Sequence, residues 1–164
     1  MSENVFTVRP VAFVRSARAD VSDDFWGDVE SEIELCPDMP PESLDGLEDY
    51  SHIDVLFVLD RVAPDDVERG TRHPRNNLEW PKIGIFAQRA KRRPNRLAHS
   101  IVRLLGRNGS RLRVLSLDAI DGTPVLDIKP VLSEFLPREP VCQPEYSREL
   151  MRDYWRNERE RPEG

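Results

Sequence analysis

The chain has 164 residues, 38% of them apolar and 33% charged, with a formal charge of −6. One domain is the prior for that length, large enough to bury roughly two-thirds of the surface its unfolded chain exposes. No apolar run approaches the roughly 18 residues a membrane-spanning helix needs, and 14 prolines with 8 glycines favour β architecture over a helical bundle.

The charge is unevenly placed. Residues 1–60 carry 3 basic and 15 acidic side chains, net −12, residues 61–113 carry 14 and 4, net +10, and residues 114–164 carry 7 and 11, net −4. A basic field on an acidic protein implies either an anionic partner or neutralisation by the acidic N-terminal third, and both readings stay open. Cys36 and Cys142 form no CxxC pair and read as reduced thiols of a cytoplasmic protein.

In chain order, VFTVRPVAFV from Val5 to Val14 predicts a strand bent at Pro10. An acidic loop with Asp20, Asp23 and Asp24 follows, then Phe25-Trp26-Gly27. An exposed Trp26 would offer a stacking surface for a purine, but the favoured expectation is that it folds back on the core. Val29 to Leu35 alternates Val29, Ser31, Ile33 and Leu35 against three glutamates, the pattern of a half-buried strand. Pro40-Pro41 opens a short helix over Glu42 to Asp49. Ile53 to Val62 predicts a central strand covered on both faces, with Asp60 and Arg61 at its end. The polar stretch 63–80, with Arg72-His73-Pro74-Arg75, is long for a structureless connection and reads as functional.

Lys82 to Gln88, Ser100 to Gly106, Arg111 to Leu117 and Val125 to Ile128 predict four more strands, the middle two joined by an Asn108-Gly109 hairpin turn. Tyr146, Leu150, Met151, Tyr154 and Trp155 predict a helix from Pro144 to Glu160 with one apolar stripe, and 158–164 as a frayed end. The fold class is therefore all-β, a small barrel with a short helical turn and a C-terminal helix, organised as a barrel domain (1–140) and a helical extension of it (141–164).

No GxGxxG, P-loop or GxSxG is present, and His52, His73 and His99 stand too far apart for a local metal site, so no metal is expected. The chemistry on offer is a set of polar loops. Arg89, Lys91, Arg92, Arg93 and Arg96 supply cations, the guanidinium forks suiting planar anions. Asp118 and Asp121 flank an Asp-Gly-Thr-Pro turn, Asp121 to Pro124, which offers backbone N–H groups and a hydroxyl.

Taken together, FAQRAKRRPNR followed by LDAIDGTPVLDIKP resembles the TsaA/TrmO family, whose pattern is close to FATRSPxRPNPIGLS and then DxxDGTPVxDIKPY. Arg72 to Arg75 looks like that family's RPPR element and Ser51-His52 like its SH pair, so the resemblance spans about residues 5–136. It implies a small β-barrel that binds S-adenosylmethionine, usually as a homodimer with the cofactor near the subunit boundary. The implied activity is methylation of threonylcarbamoyl-adenosine in tRNA. By resemblance, Asp60, Arg61, Arg89, His99, Asp118, Asp121, Gly122, Thr123 and Pro124 carry cofactor contacts. Arg72, Arg75, Arg93, Asn95 and Lys129 are substrate-side candidates, with Pro94 and Asp127 also matching the motif, and Asp118 or Asp121 would accept the proton.

The chain departs from the pattern at Gln88, Ala90, Arg96 to His99, and at Asp24-Phe25-Trp26-Gly27, where the family carries Pro-Arg-Gln. Two other readings keep the barrel: methyl transfer to a small-molecule acceptor, and a module that binds the cofactor without turnover.

Overall fold

The protein is described from a computed structural model covering residues 4–162. Among these residues eight strands form: β1 (Ala12–Ser16), β2 (Glu30–Leu35), β3 (His52–Val58), β4 (Thr71–Arg72), β5 (Ile83–Gly84), β6 (Leu97–Asn108), β7 (Arg111–Leu115) and β8 (Pro124–Pro130). They are joined by one α-helix, α1 (Glu145–Leu150), and several 3₁₀ turns. Six strands close a barrel in the order β1-β2-β7-β6-β3-β8, with every pairing antiparallel. Closure leaves no sheet edge to cap. The interior comes from alternate positions: Val14 from β1, Ile33 from β2, Val55 and Phe57 from β3, Val102 from β6, Val114 from β7 and Val125 from β8 are each 1% exposed or less.

The expected barrel forms, with local differences. The first strand begins only at Ala12, and Val5, Phe6 and Val8 lie exposed before it. Pro10 donates no N–H to a ladder, and Val11 divides its backbone between Val125 and Cys36. β3 stops at Val58 and alternates between buried and half-buried positions, so one face, not both, lies in the core. The helix expected over 42–49 is two 3₁₀ turns, Pro41–Leu44 and Leu47–Asp49, separated by Gly46 in the left-handed region (φ 86°). The strand expected over 82–88 is the two residues of β5 plus a 3₁₀ turn, Ile85–Ala87. Gln88 closes that turn, its side-chain amide donating to the carbonyls of Arg72 and Ile83.

The hairpin between β6 and β7 turns at Gly109-Ser110, because Asn108 already pairs with Arg111. Gly109 alone takes positive φ, 59°, the primed-turn requirement at the first central position. The C-terminal helix is much shorter than its stripe suggests. After α1 the chain runs in turns as far as a 3₁₀ turn, Glu158–Glu160. The carbonyls of Asp153, Tyr154 and Arg156 accept hydrogen bonds from the N–H groups of Phe25, Trp26 and Gly27, which spends them on a neighbouring segment. The end expected to fray is tied down as far as Arg161, which pairs with Asp20 and Glu158; residues 163 and 164 lie outside the described residues.

No helix among the described residues is long and apolar enough to cross a membrane. Both cysteines are unpaired, Cys36 half-buried and Cys142 exposed.

Candidate functional site

Loops at one end of the barrel gather most of the candidate residues. The Asp121–Pro124 turn enters β8 and is fixed by its backbone: Gly122 N–H donates to the Val14 carbonyl and Asp121 N–H to that of Arg18. The Asp121 carboxylate accepts from the Ser16 N–H at 3.0 Å. Gly122 sits at φ 81°, a conformation glycine reaches without a Cβ clash. Thr123 is buried, its hydroxyl donating to the Ile120 carbonyl, so it holds the turn closed. Asp60 and Arg61 follow β3 as an exposed pair, 3.8 Å apart. Arg61 is the side chain nearest the open face of Gly122, 3.9 Å from where a Cβ would stand.

Arg89 is exposed and donates to the His99 carbonyl at 2.8 Å. Its loop is rigid. Arg93 donates to the Gln88 carbonyl, Arg96 to that of Val62, and Arg96 adopts a left-handed φ of 52°. Such a conformation in a non-glycine residue persists only where its surroundings enforce it. Asn95 is exposed and accepts or donates no hydrogen bond among the described residues.

The basic segment is partly neutralised from within. Arg75 grips the Asp24 carboxylate with two hydrogen bonds, 2.8 and 2.6 Å, Lys91 pairs with Asp23 at 2.8 Å, and Arg92 lies 3.9 Å from Asp66. Arg72 is spent on Asn76. The acidic N-terminal third is thus the partner of Arg75 and Lys91, and the field offered to an external anion is weaker than the sequence count suggests.

Two expected site residues stand apart. Lys129 pairs with Asp127 and lies across from Asp54 in the β3–β8 register. It is five residues along β8 from the turn, roughly 17 Å. The His99 ring faces the outer barrel wall, 3.0 Å from Asp54; only its backbone carbonyl reaches Arg89.

Asp118 is engaged on both oxygens. Ser100 donates to one, and the Tyr154 hydroxyl donates to the other at 2.5 Å. Burial, then the Asp118 charge and this hydrogen bond, hold the Tyr154 phenol well above the usual range. Arg89 acts on the same phenol in the opposite sense, so Arg89, Asp118 and Tyr154 are electrostatic neighbours. Trp26 is buried, with the Arg18 guanidinium 3.5 Å from its ring centre, so it offers no exposed stacking surface. Tyr154 and Ser100 were not among the expected site residues. Tyr154 read as one apolar position of a stripe, and its register against Asp118 has no local signal.

Beyond Asp121 an open groove of about 390 Å³ runs between Arg15, Ser16, Glu30, Glu32 and Arg113. Among the described residues no three His, Cys, Asp or Glu side chains are grouped to hold a metal ion.

Comparison with known proteins places this geometry. A Pyrococcus abyssi protein named probable S-adenosyl-L-methionine-binding protein is 40% identical over 114 residues, 70% of this chain and 59% of that one. A Methanothermobacter thermautotrophicus protein of the same description is 41% identical over 137 residues, 79% of this chain and 93% of its own. A mouse tRNA (adenine(37)-N6)-methyltransferase is 36% identical over 96 residues, 58% of this chain but 22% of the mouse protein. The crystal structure of TrmO from Pseudomonas aeruginosa superposes with a TM-score of 0.66 at 30% identity, covering 84% of this chain and 61% of that one. The chain therefore spans about three fifths of the length of two of these relatives and about a fifth of the mouse protein. Residues 18–135, most of the barrel and all of its loops around Asp118 to Pro124, match the model of the tRNA-methyltransferase O N-terminal domain, and the chain belongs to that family.

Proposed function

We propose that the protein is an S-adenosylmethionine-dependent methyltransferase acting on an adenosine of tRNA, with threonylcarbamoyl-adenosine as the acceptor nucleoside. The carrying observation is that the family match includes both candidate loops, and that Arg61 meets the Gly122 turn at the same end of the barrel as Arg89 and Asp118. The residues there fit the cofactor's chemistry. Arg89 and Arg61 supply guanidinium donors for a carboxylate, Asp60 and Asp121 supply carboxylates for an ammonium or sulfonium, and the left-handed Gly122 leaves room for a close backbone approach. His99, turned to the outer wall, fits that role less well, and Lys129, far along β8 from the turn, fits a substrate-side role there less well.

Bound there, S-adenosylmethionine supplies an electrophilic methyl group. The protein's own contribution is to orient the acceptor against it, an effect worth up to roughly 7–11 kcal/mol. Asp121 is better placed than Asp118 to accept the acceptor's proton, since its second oxygen takes no hydrogen bond among the described residues. Leu97 and Ile101, exposed on one face of β6, supply apolar surface for a homodimer. A tRNA substrate puts this activity in the cytoplasm.

Calorimetry with S-adenosylmethionine tests the reading first. Arg89→Ala should weaken binding by roughly 1.5–3 kcal/mol, the worth of a charged hydrogen bond, and no measurable binding to the wild type defeats it. Methyl transfer from labelled cofactor to bulk tRNA then tests the acceptor. A small-molecule acceptor is the second reading, favoured by the internal pairing of Arg75, Lys91 and Arg92. It requires that tRNA-free extract accept methyl groups as well as whole extract does.

A further inference from the structure

The segment from Pro144 to Arg161 lies beyond the residues that match the family, yet it is stitched to the candidate site along its length. Three backbone hydrogen bonds of 2.9–3.1 Å join Phe25, Trp26 and Gly27 to the carbonyls of Asp153, Tyr154 and Arg156. Trp80 donates to Glu149 at 3.1 Å, the Glu158 N–H to Asp28 at 2.6 Å, and Arg18 reaches Glu158 at 3.3 Å. The contact made inside the site is that of Tyr154 with Asp118.

We infer that the strap serves the site through one residue, Tyr154, a positioning residue that fixes Asp118 and so pre-orders the loop running from Asp118 to Pro124. Asp118 is held by Ser100 from the barrel and Tyr154 from the strap, one donor per oxygen. Without the phenol, one carboxylate oxygen loses its partner, and the loop is held by Ser100 on the other oxygen and by its ties to Val14, Ser16 and Arg18. A loop that must be ordered on binding costs affinity, and one ordered beforehand does not. The charged and titratable groups facing the phenol are Asp118, Arg89 and Asp23, with Arg75 close by.

The inference rests on S-adenosylmethionine as the ligand, and its test separates the two. Calorimetry with S-adenosylmethionine is run on the wild type, Tyr154→Phe, Asp118→Asn, the double variant and Glu149→Ala. Glu149→Ala loosens the strap at Trp80 without touching Asp118. The expected result is about tenfold weaker binding for Tyr154→Phe, no further loss on adding it to Asp118→Asn, and unchanged affinity for Glu149→Ala. Ultraviolet titration gives a readout that does not need the ligand. One of the 3 tyrosines should resist ionisation in the wild type, ionise more readily in Asp118→Asn, and vanish from the titration in Tyr154→Phe. Wild-type affinity in a folded Tyr154→Phe, or equal losses in Glu149→Ala and Tyr154→Phe, overturns the positioning role while leaving cofactor binding intact. An absence of binding in the wild type overturns the cofactor reading and the inference with it.

Discussion

Gly27 and Arg18 show how single side chains hold the strap. A Cβ on Gly27 would stand 2.1 Å from the Trp155 carbonyl oxygen and 2.9 Å from its carbon, both backbone atoms that cannot swing aside. Gly27→Ala should therefore lift the strap and cost about 2 kcal/mol or more in urea unfolding. Arg18 is 7% exposed and serves the carbonyls of Ser22, Asp24 and Phe25 while covering Trp26. Arg18→Met keeps the bulk but leaves those carbonyls without a donor, an expected loss of about 3 kcal/mol. Arg18→Lys should recover little of it, because one ammonium cannot span what the fork spans. Full stability in either Arg18 variant would contradict this account. The importance of neither residue was legible locally. Arg18 sits in a polar loop, and Gly27 reads as an ordinary turn glycine until Trp155 is laid against it.

At the scale of elements, the strap couples folding to alkaline pH. The fold keeps Tyr154 protonated, so its folded pKa is raised above the unfolded value of about 10. Its contribution is complete below that pH and falls as pH rises, because the unfolded chain then sheds a proton that the folded one retains. Stability should decline above pH 10 by up to about 1.4 kcal/mol per pH unit from this group, and Tyr154→Phe should flatten the decline in thermal melts. The β6–β7 hairpin is a contrasting case, since its requirement is local. Gly109 holds φ 59° with open space around it, so Gly109→Ala should cost only about 1 kcal/mol by backbone strain.

For the whole molecule, the decisive property is how charge is spent. The acidic third and the basic middle of the sequence meet through Asp23 and Asp24 with Lys91 and Arg75, while Arg92 pairs with Asp66 inside the basic middle itself. If tRNA is the substrate, few of these cations are available to its phosphates, and log K against log salt should have a slope shallower than about −4. Asp23→Asn with Asp24→Asn releases Lys91 and Arg75, so the same measurement should then give tighter and more salt-sensitive tRNA binding. An unchanged slope would show that these pairs do not limit the field.

The sequence by itself determined the barrel and the identity of its loops. Alternation along Ser31, Ile33 and Leu35, the apolar run into Phe57 and the Gly109 turn are local instructions read within a few residues. The Arg89 and Asp121 motifs likewise carry their own spacing. Tertiary structure alone decided where the tail goes, which cations remain free and what Asp118 touches. Those depend on segments far apart in the chain, Asp24 with Arg75 and Asp118 with Tyr154, which meet only in the folded molecule. The tail's apolar spacing predicted a helix, and the open N–H groups of Phe25 to Gly27 drew its carbonyls into a strap instead.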